Sequence, residues 1–369
     1  MINYKIRLYD PSIGAQEKKN VLDCLNSNWI SSKGKYINKF EKKFANFLKI
    51  KHAISVVNGT TALHLALLAL KIKKNDEVIV PSFTYIAPVN AIKYIGAKVK
   101  FIDSKLSTWQ LDESKLEGLI TKKTKAVIVP HLYGQINDIE KIKYICKKKK
   151  IYIIEDCAEA FGCYYKNKHV GTYGDVSTFS FFGSKTITTG EGGMVVTNNK
   201  KIADLIYKLK TVAVVKNKNY WHDMVGYNYR MTNICAAIGL AQINKAKKII
   251  KNKIKIFHLY RKYLNLKKIK MNNETIYTKS SFWLITIFLQ SKKKRNLLIK
   301  LLTKHKIETR TTFNPIHKMP MYFNRNYKNL FPNSEILSDT GLSLPSGSNL
   351  SDKEIKKICS LINQFIYKH

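Results

Sequence analysis

The chain has 369 residues, of which 45% are hydrophobic and 24% are charged. This length is too great for one small core and favours two packed lobes. The composition is ordinary for a folded protein, so long disordered segments are not expected.

The formal net charge of +40 raises the question of nucleic-acid binding, because a basic face releases counterions from phosphate. Only six of the 65 basic residues are arginine, although the planar guanidinium of arginine binds phosphates and base edges better than the ammonium group of lysine does. Abundant Lys, Ile, Asn and Tyr instead indicate an A/T-rich coding bias. We therefore expect no nucleic-acid partner, while retention on DNA at moderate salt would contradict that expectation.

The six cysteines show no CxxC pair and no Cys/His cluster at zinc spacing, which predicts reduced thiols and no metal site. Residues 1–14 lack the apolar core of a signal peptide. The most apolar runs, 63–70 and 282–289, are far shorter than the ~20 residues that span a bilayer. These features predict a cytoplasmic protein without a membrane partner.

From about residue 50 the chain alternates predicted strands and helices. Asn58-Gly59-Thr60-Thr61 opens a helix, a buried strand follows over 76–83, and a second helix begins near Tyr85. Further strands are predicted over 97–103, 125–134, 151–160 and 174–182. This alternation indicates an α/β fold with a mainly parallel sheet covered on both faces, and such sheets bind ligands beyond the carboxyl ends of their strands.

After about residue 245 the pattern changes. The chain continues with a long basic helix, a strand over 280–289, a helix over 295–306 and a closing helix over 351–369. We therefore predict a large domain over 15–245 and a smaller C-terminal α+β domain over 246–369. Residues 1–14 are expected to pack on the smaller domain.

Two residues indicate pyridoxal phosphate (PLP) chemistry. Lys185 lies between an aromatic strand, 179–182, and a glycine-rich turn, 190–193, and a lysine that bonds to an aldehyde needs such partial desolvation. Asp156 ends a buried strand, where a carboxylate is well placed to keep the PLP ring nitrogen protonated. Taken alone, each residue has a more common explanation. Lys185 would be an exposed lysine, and Asp156 would be the cap of the next helix.

The helix that begins near Gly59 offers a place for the cofactor phosphate. Backbone amides at a helix N-terminus bind anions, and Gly59 and Thr60 stand at that position, with the Ser180 hydroxyl as an added donor. The same sequence is equally compatible with a merely capped helix.

Blocks of sequence, in their order along the chain, resemble the sugar aminotransferases of the DegT/DnrJ/EryC1/StrS family. The blocks are residues 28–48, 54–70, 78–92, 129–134, 153–162, 178–198 and 226–243. The resemblance covers nearly the whole chain. It implies the PLP-dependent, fold type I architecture, with a large domain and a smaller C-terminal one.

The resemblance also implies roles for single residues. Lys185 matches the lysine that bonds to the cofactor and moves a proton to and from the substrate carbon, and Asp156 matches the partner of the ring nitrogen. Tyr85 matches an aromatic that stacks on the ring, although alone it reads as a core aromatic. Glu159 matches a polar side chain near the cofactor hydroxyl. Relatives with histidine in place of the lysine are dehydratases, so Lys185 favours transamination.

Asn228 matches an asparagine that reaches across a homodimer interface to the partner's cofactor phosphate, although alone it reads as a loop asparagine. Arg230, one of few arginines, reads as structural or substrate-facing. Trp29, Ser31 and Lys33 lie in a segment that the resemblance brings near the substrate. His317 lies in a loop that reaches the sugar nucleotide in family members, or is simply a surface histidine.

The implied substrates are L-glutamate as amino donor and a nucleotide-linked keto-sugar as acceptor. The blocks at 28–41 and 178–193 are most similar to members that aminate C4 of GDP-4-keto-6-deoxymannose to GDP-perosamine. A 4-aminotransferase that makes viosamine from dTDP- or UDP-4-keto-6-deoxyglucose stays open, as does a 3-aminotransferase. A regulator of this fold would carry an added DNA-binding domain, and residues 1–50 offer no spare segment for one. A non-catalytic module would be expected to lose Lys185 or Asp156, and both are present.

Overall fold

The computed structural model describes residues 3–368. Its strands, in chain order, are β1 (His52–Val56), β2 (Glu77–Pro81), β3 (Lys98–Ile102), β4 (Thr124–Pro130), β5 (Tyr152–Asp156), β6 (Tyr164–Tyr165), β7 (Lys168–His169), β8 (Val176–Ser180), β9 (Gly193–Thr197), β10 (Lys270–Met271), β11 (Thr278–Lys279), β12 (Ile285–Phe288), β13 (Arg310–Thr311) and β14 (Gly341–Leu344).

The α-helices are α1 (Ala15–Asn26), α2 (Lys35–Leu48), α3 (Gly59–Ala69), α4 (Ala87–Tyr94), α5 (Leu116–Leu119), α6 (Ile139–Lys149), α7 (Lys200–Lys210), α8 (Asn233–Asn244), α9 (Ala246–Tyr263), α10 (Lys292–Lys304), α11 (Pro332–Thr340) and α12 (Asp352–Lys368). Single 3₁₀ turns lie at Glu113–Lys115, Leu132–Gly134, Ile316–Lys318 and Arg325–Tyr327. No helix within residues 3–368 is both long and apolar enough to cross a membrane.

A seven-stranded sheet forms the centre of the first lobe, in the order β1-β9-β8-β5-β4-β2-β3. The ladders from β3 through β2, β4 and β5 to β8 are parallel, whereas β9 runs antiparallel to both β8 and β1. This arrangement confirms the predicted mainly parallel α/β sheet. The carboxyl ends of β2, β4, β5 and β8 therefore meet along one edge, as the connectivity of parallel strands requires.

Helices cover both faces of this sheet, as predicted. Because successive strand residues point to opposite faces, the neighbours Val127 and Ile128 of β4 fall in two different cores. The core of Val127 includes Phe44 of α2 and residues of α6 and α8, and the core of Ile128 includes residues of α3, α4 and α7. The buried, Val/Ile-rich strands are what a doubly covered parallel sheet requires.

A second sheet, in the order β10-β12-β14-β13, lies in the C-terminal part and packs with α9, α10 and α12 around its own core. The N-terminal arm joins this region, since Ile6 bridges Ile307 and the Leu8 carbonyl accepts from Ser346 N at 2.8 Å. Residues 1, 2 and 369 of the predicted arm and closing helix lie outside the described residues. The domain boundary at 245 stays a prediction.

The C-terminal part packs against the first lobe at several places, including a shared core and a strand pair. Ile316 and Phe331 are buried in the core that contains α3 and α4. Strand β11 pairs with β6 at Thr278 and Tyr165. Residues from the C-terminal part therefore reach the carboxyl edge of the main sheet.

Candidate active site

A cavity of about 340 Å³ opens at the carboxyl edge of the main sheet, where α3 begins and the C-terminal part closes over. It brings together seven of the residues predicted from sequence. They are Gly59, Thr60, Tyr85, Asp156, Glu159, Ser180 and Lys185. We call this cavity the inner pocket.

Lys185 reaches into the inner pocket from the turn after β8. Its side chain is 15% exposed, with Nζ at 3.6 Å from Glu159 Oε1 and 4.0 Å from the centroid of the Trp283 ring. Burial lowers the pKa of Lys185, although the charges of Glu159 and Asp156 oppose this. Lowering the pKa increases the share of neutral amine, which is the form that attacks a carbonyl.

The backbone of the Lys185 turn is fixed from outside the sheet. The Tyr9 hydroxyl donates to the Lys185 carbonyl at 2.8 Å, and Trp283 Nε1 donates to the Ser184 carbonyl at 2.7 Å. Within the turn, Lys185 N donates to the Phe182 carbonyl at 2.9 Å. The N-terminal arm and the C-terminal part thus hold the reactive lysine in place.

Glu155 and Asp156 end β5 with opposite orientations, as strand alternation requires. Glu155 accepts from the amides of residues 171, 173 and 174 at 2.7–2.8 Å. Burial alone raises the pKa of Glu155, but its hydrogen bonds with His131 and these amides outweigh burial and lower it. Glu155 is therefore a structural anion beneath the sheet edge.

Asp156 faces the inner pocket. Its Oδ1 accepts from Ala158 N at 3.1 Å, a single local contact that leaves the rest of the carboxyl group turned to the cavity. Burial raises the pKa of Asp156, against the opposing effects of the Ala158 amide, Lys185 and His131. A buried carboxyl with few partners is suited to share a proton with a ligand nitrogen.

Glu159 lies between Lys185 and the backbone of Tyr133. Its Oε2 accepts from Tyr133 N at 2.8 Å, and its Oε1 faces the lysine. Burial raises the pKa of Glu159 to about 7, although Lys185 opposes the rise. Glu159 can therefore gain or lose a proton beside Lys185 near neutral pH.

The opposite end of the inner pocket is the N-terminus of α3. Asn58 Oδ1 caps the helix by accepting from Thr61 N at 2.9 Å, which leaves the first-turn amides of Gly59 and Thr60 to bind an anion. A Cβ at Gly59 would stand 2.9 Å from the Cβ of Ser180. Only glycine allows the helix to start this close to β8.

These three features fit PLP. An anion-binding helix start, a pocket-facing carboxyl and a desolvated amine match the phosphate, ring nitrogen and aldehyde of that cofactor. Tyr85, 56% exposed, lines the same cavity and lies 5.8 Å from Phe313 between ring centroids. When bound, PLP supplies an electron sink for the bonds of the substrate carbon.

Two other predicted residues lie at a second cleft of about 800 Å³, which we call the outer cleft. Lys33 and Arg230 line it, and neither residue lines the inner pocket. Asn228 Oδ1 accepts from Arg230 Nε at 3.0 Å. Within one subunit, Asn228 is therefore engaged with its neighbour and not with the pocket around Lys185.

Trp29 and Ser31 lie in the segment that leads into the outer cleft. Asn233 fixes this segment through the carbonyls of both residues, with Nδ2 at 2.7 Å from that of Trp29 and the amide N at 2.6 Å from that of Ser31. The Trp29 side chain is 56% exposed. Neither residue lines the inner pocket of its own chain.

His317 is buried behind the end of β2. Its Nδ1 is 2.6 Å from Ser82 Oγ, and its Nε2 is 3.3 Å from Glu335 Oε1. Burial lowers the pKa of His317, with Glu335 opposing. The structure thus places His317 in a packed network and not at the wall of the inner pocket.

Several residues of the inner pocket escaped the sequence reasoning. Trp283 and Phe313 come from the C-terminal part, as does Arg310, which is an exposed cation at the pocket wall. The scarcity of arginine singled out Arg230 and applied equally to Arg310. Nothing local in the sequence marked Trp283, because it lies at the start of an ordinary apolar strand.

Among the described residues, His131, Glu155 and Cys157 place potential metal-ligand atoms within 4.8 Å of one another. His131 and Glu155 already use these atoms in hydrogen bonds, since His131 Nε2 is 3.2 Å from Glu155 Oε2 and His131 Nδ1 accepts from Asn137 N at 3.2 Å. Burial raises the pKa of Cys157, which favours the neutral thiol. We assign the three to the polar network beneath the sheet edge.

A mainly parallel α/β sheet with this lysine, carboxyl and helix start at its carboxyl edge defines a fold type I, PLP-dependent enzyme. Residues 11–363 match the DegT/DnrJ/EryC1/StrS aminotransferase family. The chain belongs to this family.

Similar proteins span the whole chain. It is 50% identical to a GDP-perosamine synthase of Escherichia coli O157:H7 and 48% identical to one of Vibrio cholerae, over at least 98% of each chain. Among solved structures, the PLP form of Spr1654 from Streptococcus pneumoniae superposes with a TM-score of 0.94 at 26% identity, covering 99% of both chains. These likenesses confirm the predicted fold, family and cofactor.

Proposed function

We propose that this chain transfers the amino group of L-glutamate to C4 of GDP-4-keto-6-deoxymannose and forms GDP-perosamine. The observation that carries the proposal is its likeness, over 98% of its length, to two proteins named GDP-perosamine synthase. The inner pocket adds physical support, because it holds a reactive amine and a pocket-facing carboxyl in the arrangement that transamination needs.

The residues of the inner pocket have separate tasks in this proposal. Lys185 takes a proton from the carbon that bears the leaving or incoming amine and returns it, which requires its neutral form during part of the cycle. Asp156 holds a proton at the ring nitrogen of the cofactor. Glu159, next to Lys185, accepts or supplies the proton that sets the charge of the lysine.

Both substrates are anions that use the same pocket in turn. Glutamate carries carboxylates, and a sugar nucleotide carries a diphosphate. Arg310 is a cation at the pocket wall whose charge also acts on Lys185. We infer that Arg310 receives these anions, and that Arg310→Gln raises the KM of both substrates more than it lowers kcat.

We further propose that the enzyme is a homodimer in which a second copy completes each site. Tyr85 and Phe182 line the inner pocket yet are 56% and 51% exposed. Near the outer cleft, Tyr220 and Trp221 are 95% and 58% exposed. A partner subunit that covers these surfaces would bring its own Asn228 toward the phosphate end of the inner pocket.

The test is the visible spectrum of the PLP-loaded protein. L-glutamate is added first, and GDP-4-keto-6-deoxymannose or dTDP-4-keto-6-deoxyglucose is then added in separate cuvettes. The proposal predicts that glutamate removes the yellow band of the bound cofactor and that only the GDP-sugar restores it. The amino position of the product is then read by NMR.

The other outcomes are equally informative. Restoration by the dTDP-sugar alone would establish the viosamine alternative. Restoration by neither 4-keto-sugar, but by a nucleotide-linked 3-keto-6-deoxysugar, would make the enzyme a 3-aminotransferase. A band that never responds to glutamate would contradict transamination itself.

A further inference from the structure

Lys253 of α9 is a buried lysine that the proposed reaction does not use. It is 1% exposed, and its Nζ donates to the Trp283 carbonyl at 2.9 Å and to the Ser346 carbonyl at 2.8 Å. The same nitrogen lies 4.9 Å from the centroid of the Tyr9 ring. Two carbonyls and one aromatic face thus match the three N–H donors of an ammonium group.

This placement is costly. An ammonium group in the interior is normally paired with a carboxylate, whereas Lys253 is engaged by neutral acceptors. Burial lowers the pKa of Lys253 to about 7, with the Cys163 thiol opposing. A methionine would remove the buried charge but would leave the Trp283 and Ser346 carbonyls without this donor, so the ammonium group is what holds the two carbonyls together.

The partners of Lys253 are the residues that hold the Lys185 turn. Trp283 accepts from Lys253 through its carbonyl and donates from its indole nitrogen to the Ser184 carbonyl at 2.7 Å. Its ring also lies under Lys185 Nζ. Tyr9, whose ring faces Lys253, donates its hydroxyl to the Lys185 carbonyl at 2.8 Å.

We propose that Lys253 is a positioning residue for Lys185, which it holds in its desolvated place through Trp283 and Tyr9. The inference rests on the assignment of Lys185 as the cofactor lysine. It assigns a task in the reaction to a residue that lies outside the inner pocket.

The test compares the reactivity of Lys185 in full-length, cofactor-free wild-type and Lys253→Met proteins. Each is pulsed with an amine-acylating reagent at a series of pH values, and mass spectrometry gives the extent of labelling at Lys185. Without the ammonium group, the Trp283 ring and the Lys185 turn lose their fixed positions and water reaches the amine. We expect the midpoint of labelling to rise by about one pH unit, toward the value of an exposed lysine.

The matched control is Arg295→Met. Arg295 is another buried cation, 7% exposed, whose Nη1 donates to the Ser338 carbonyl at 2.7 Å and which does not line the inner pocket. Its loss is expected to lower the unfolding temperature while the labelling midpoint of Lys185 stays unchanged. The same pattern in a folded Lys253→Met protein would reduce Lys253 to a purely structural residue and overturn the proposal.

A double variant, Tyr9→Phe with Trp283→Phe, covers the case in which Lys253→Met does not fold. It keeps an aromatic ring at both positions but removes the two bonds to the Lys185 turn, so the labelling midpoint should again rise. An unchanged midpoint in this variant would overturn the proposed route. Because labelling needs no cofactor or substrate, these results are independent of whether the GDP-sugar is the acceptor.

Discussion

The inner pocket and the outer cleft differ in how their polar groups are satisfied. Around the inner pocket, Asp156 and Glu159 are buried and hydrogen-bonded to the backbone of their own chain. Beside the outer cleft, Asn228 bonds to the side chain of Arg230, two residues away, and Asn228 is exposed while Arg230 is half-buried. One chain therefore holds these two carboxyl groups of the inner pocket by itself, whereas the proposed homodimer assigns Asn228 to the site of a second copy.

The largest effect should come from the inner pocket. Lys185→Ala removes both the covalent attachment and the proton carrier, so turnover should fall by more than about 10⁴-fold. Formation of 2-oxoglutarate from L-glutamate in the presence of the keto-sugar measures it. Lys200→Ala is the control, because Lys200 is 76% exposed and pairs only with Asp204 in the next turn. Normal turnover of Lys185→Ala would contradict the assignment.

Asp156→Asn should have the next largest effect. The amide keeps the shape of the side chain but cannot hold a proton at the ring nitrogen, so we expect turnover to fall by about 10²–10³-fold while PLP still binds. Single-turnover kinetics with glutamate isolate the step. A loss confined to the cofactor affinity would instead mean that Asp156 only anchors PLP.

The sequence predicted the fold well for a physical reason. Buried strands and helix starts are specified by local patterns, which place Gly59 at a helix start and Asp156 at a strand end, whereas the roles of Asp156 and Lys185 stay predictions. The Glu155-Asp156 pair illustrates what a local pattern can predict. Strand alternation directs one carboxylate beneath the sheet edge and the other into the pocket.

The remaining positions depend on long-range packing, which local patterns do not reveal. Trp283 and Arg310 reach the inner pocket only because the C-terminal part folds back over the sheet edge. The role of His317 at the sugar nucleotide stays a prediction, and the structure adds that Ser82 and Glu335 lie against its two ring nitrogens, which no local pattern indicates. Surface residues such as Trp29 could be placed only relative to a partner that the sequence does not describe.

Glu159 offers a test of the electrostatics of the inner pocket. Because burial raises its pKa to about 7, the folded cofactor-free protein keeps a proton that the unfolded chain releases above about pH 4.5. This contribution to stability is complete below the unfolded pKa and is lost as the pH rises to about 7. Glu159→Gln should abolish this loss of stability, which is on the order of 3 kcal/mol between the two pKa values, as measured by urea unfolding.

Glu155→Gln is the comparison for Glu159→Gln, because the pKa shifts of the two carboxyl groups have opposite signs. The pKa of Glu155 is lowered, so its stabilisation is present above the unfolded pKa and is lost as the pH falls through the folded value. Glu155→Gln should therefore destabilise the protein at neutral pH, and the difference should shrink in acid. Identical pH profiles for the two variants would contradict the distinction between the carboxylates.

The smallest effect is expected at the outer cleft. If Asn228 serves the cofactor phosphate of the partner subunit, Asn228→Ala should weaken PLP binding by about tenfold, the worth of one hydrogen bond to a charged group, without lowering the unfolding temperature of the cofactor-free protein. Dialysis against graded PLP gives the affinity. Unchanged affinity would remove the cross-subunit assignment.

Subunit mixing separates a shared site from a local effect of Asn228. When Lys185→Ala and Asn228→Ala chains are unfolded and refolded together, a mixed dimer has one site that carries both changes and one that carries neither. With limiting PLP, mixing should restore fully competent sites to about a quarter of the total, more than either variant gives alone. If Asn228 acted on its own subunit, every site would keep one defect and mixing would restore nothing. The result therefore decides whether the outer cleft of one chain belongs to the inner pocket of another.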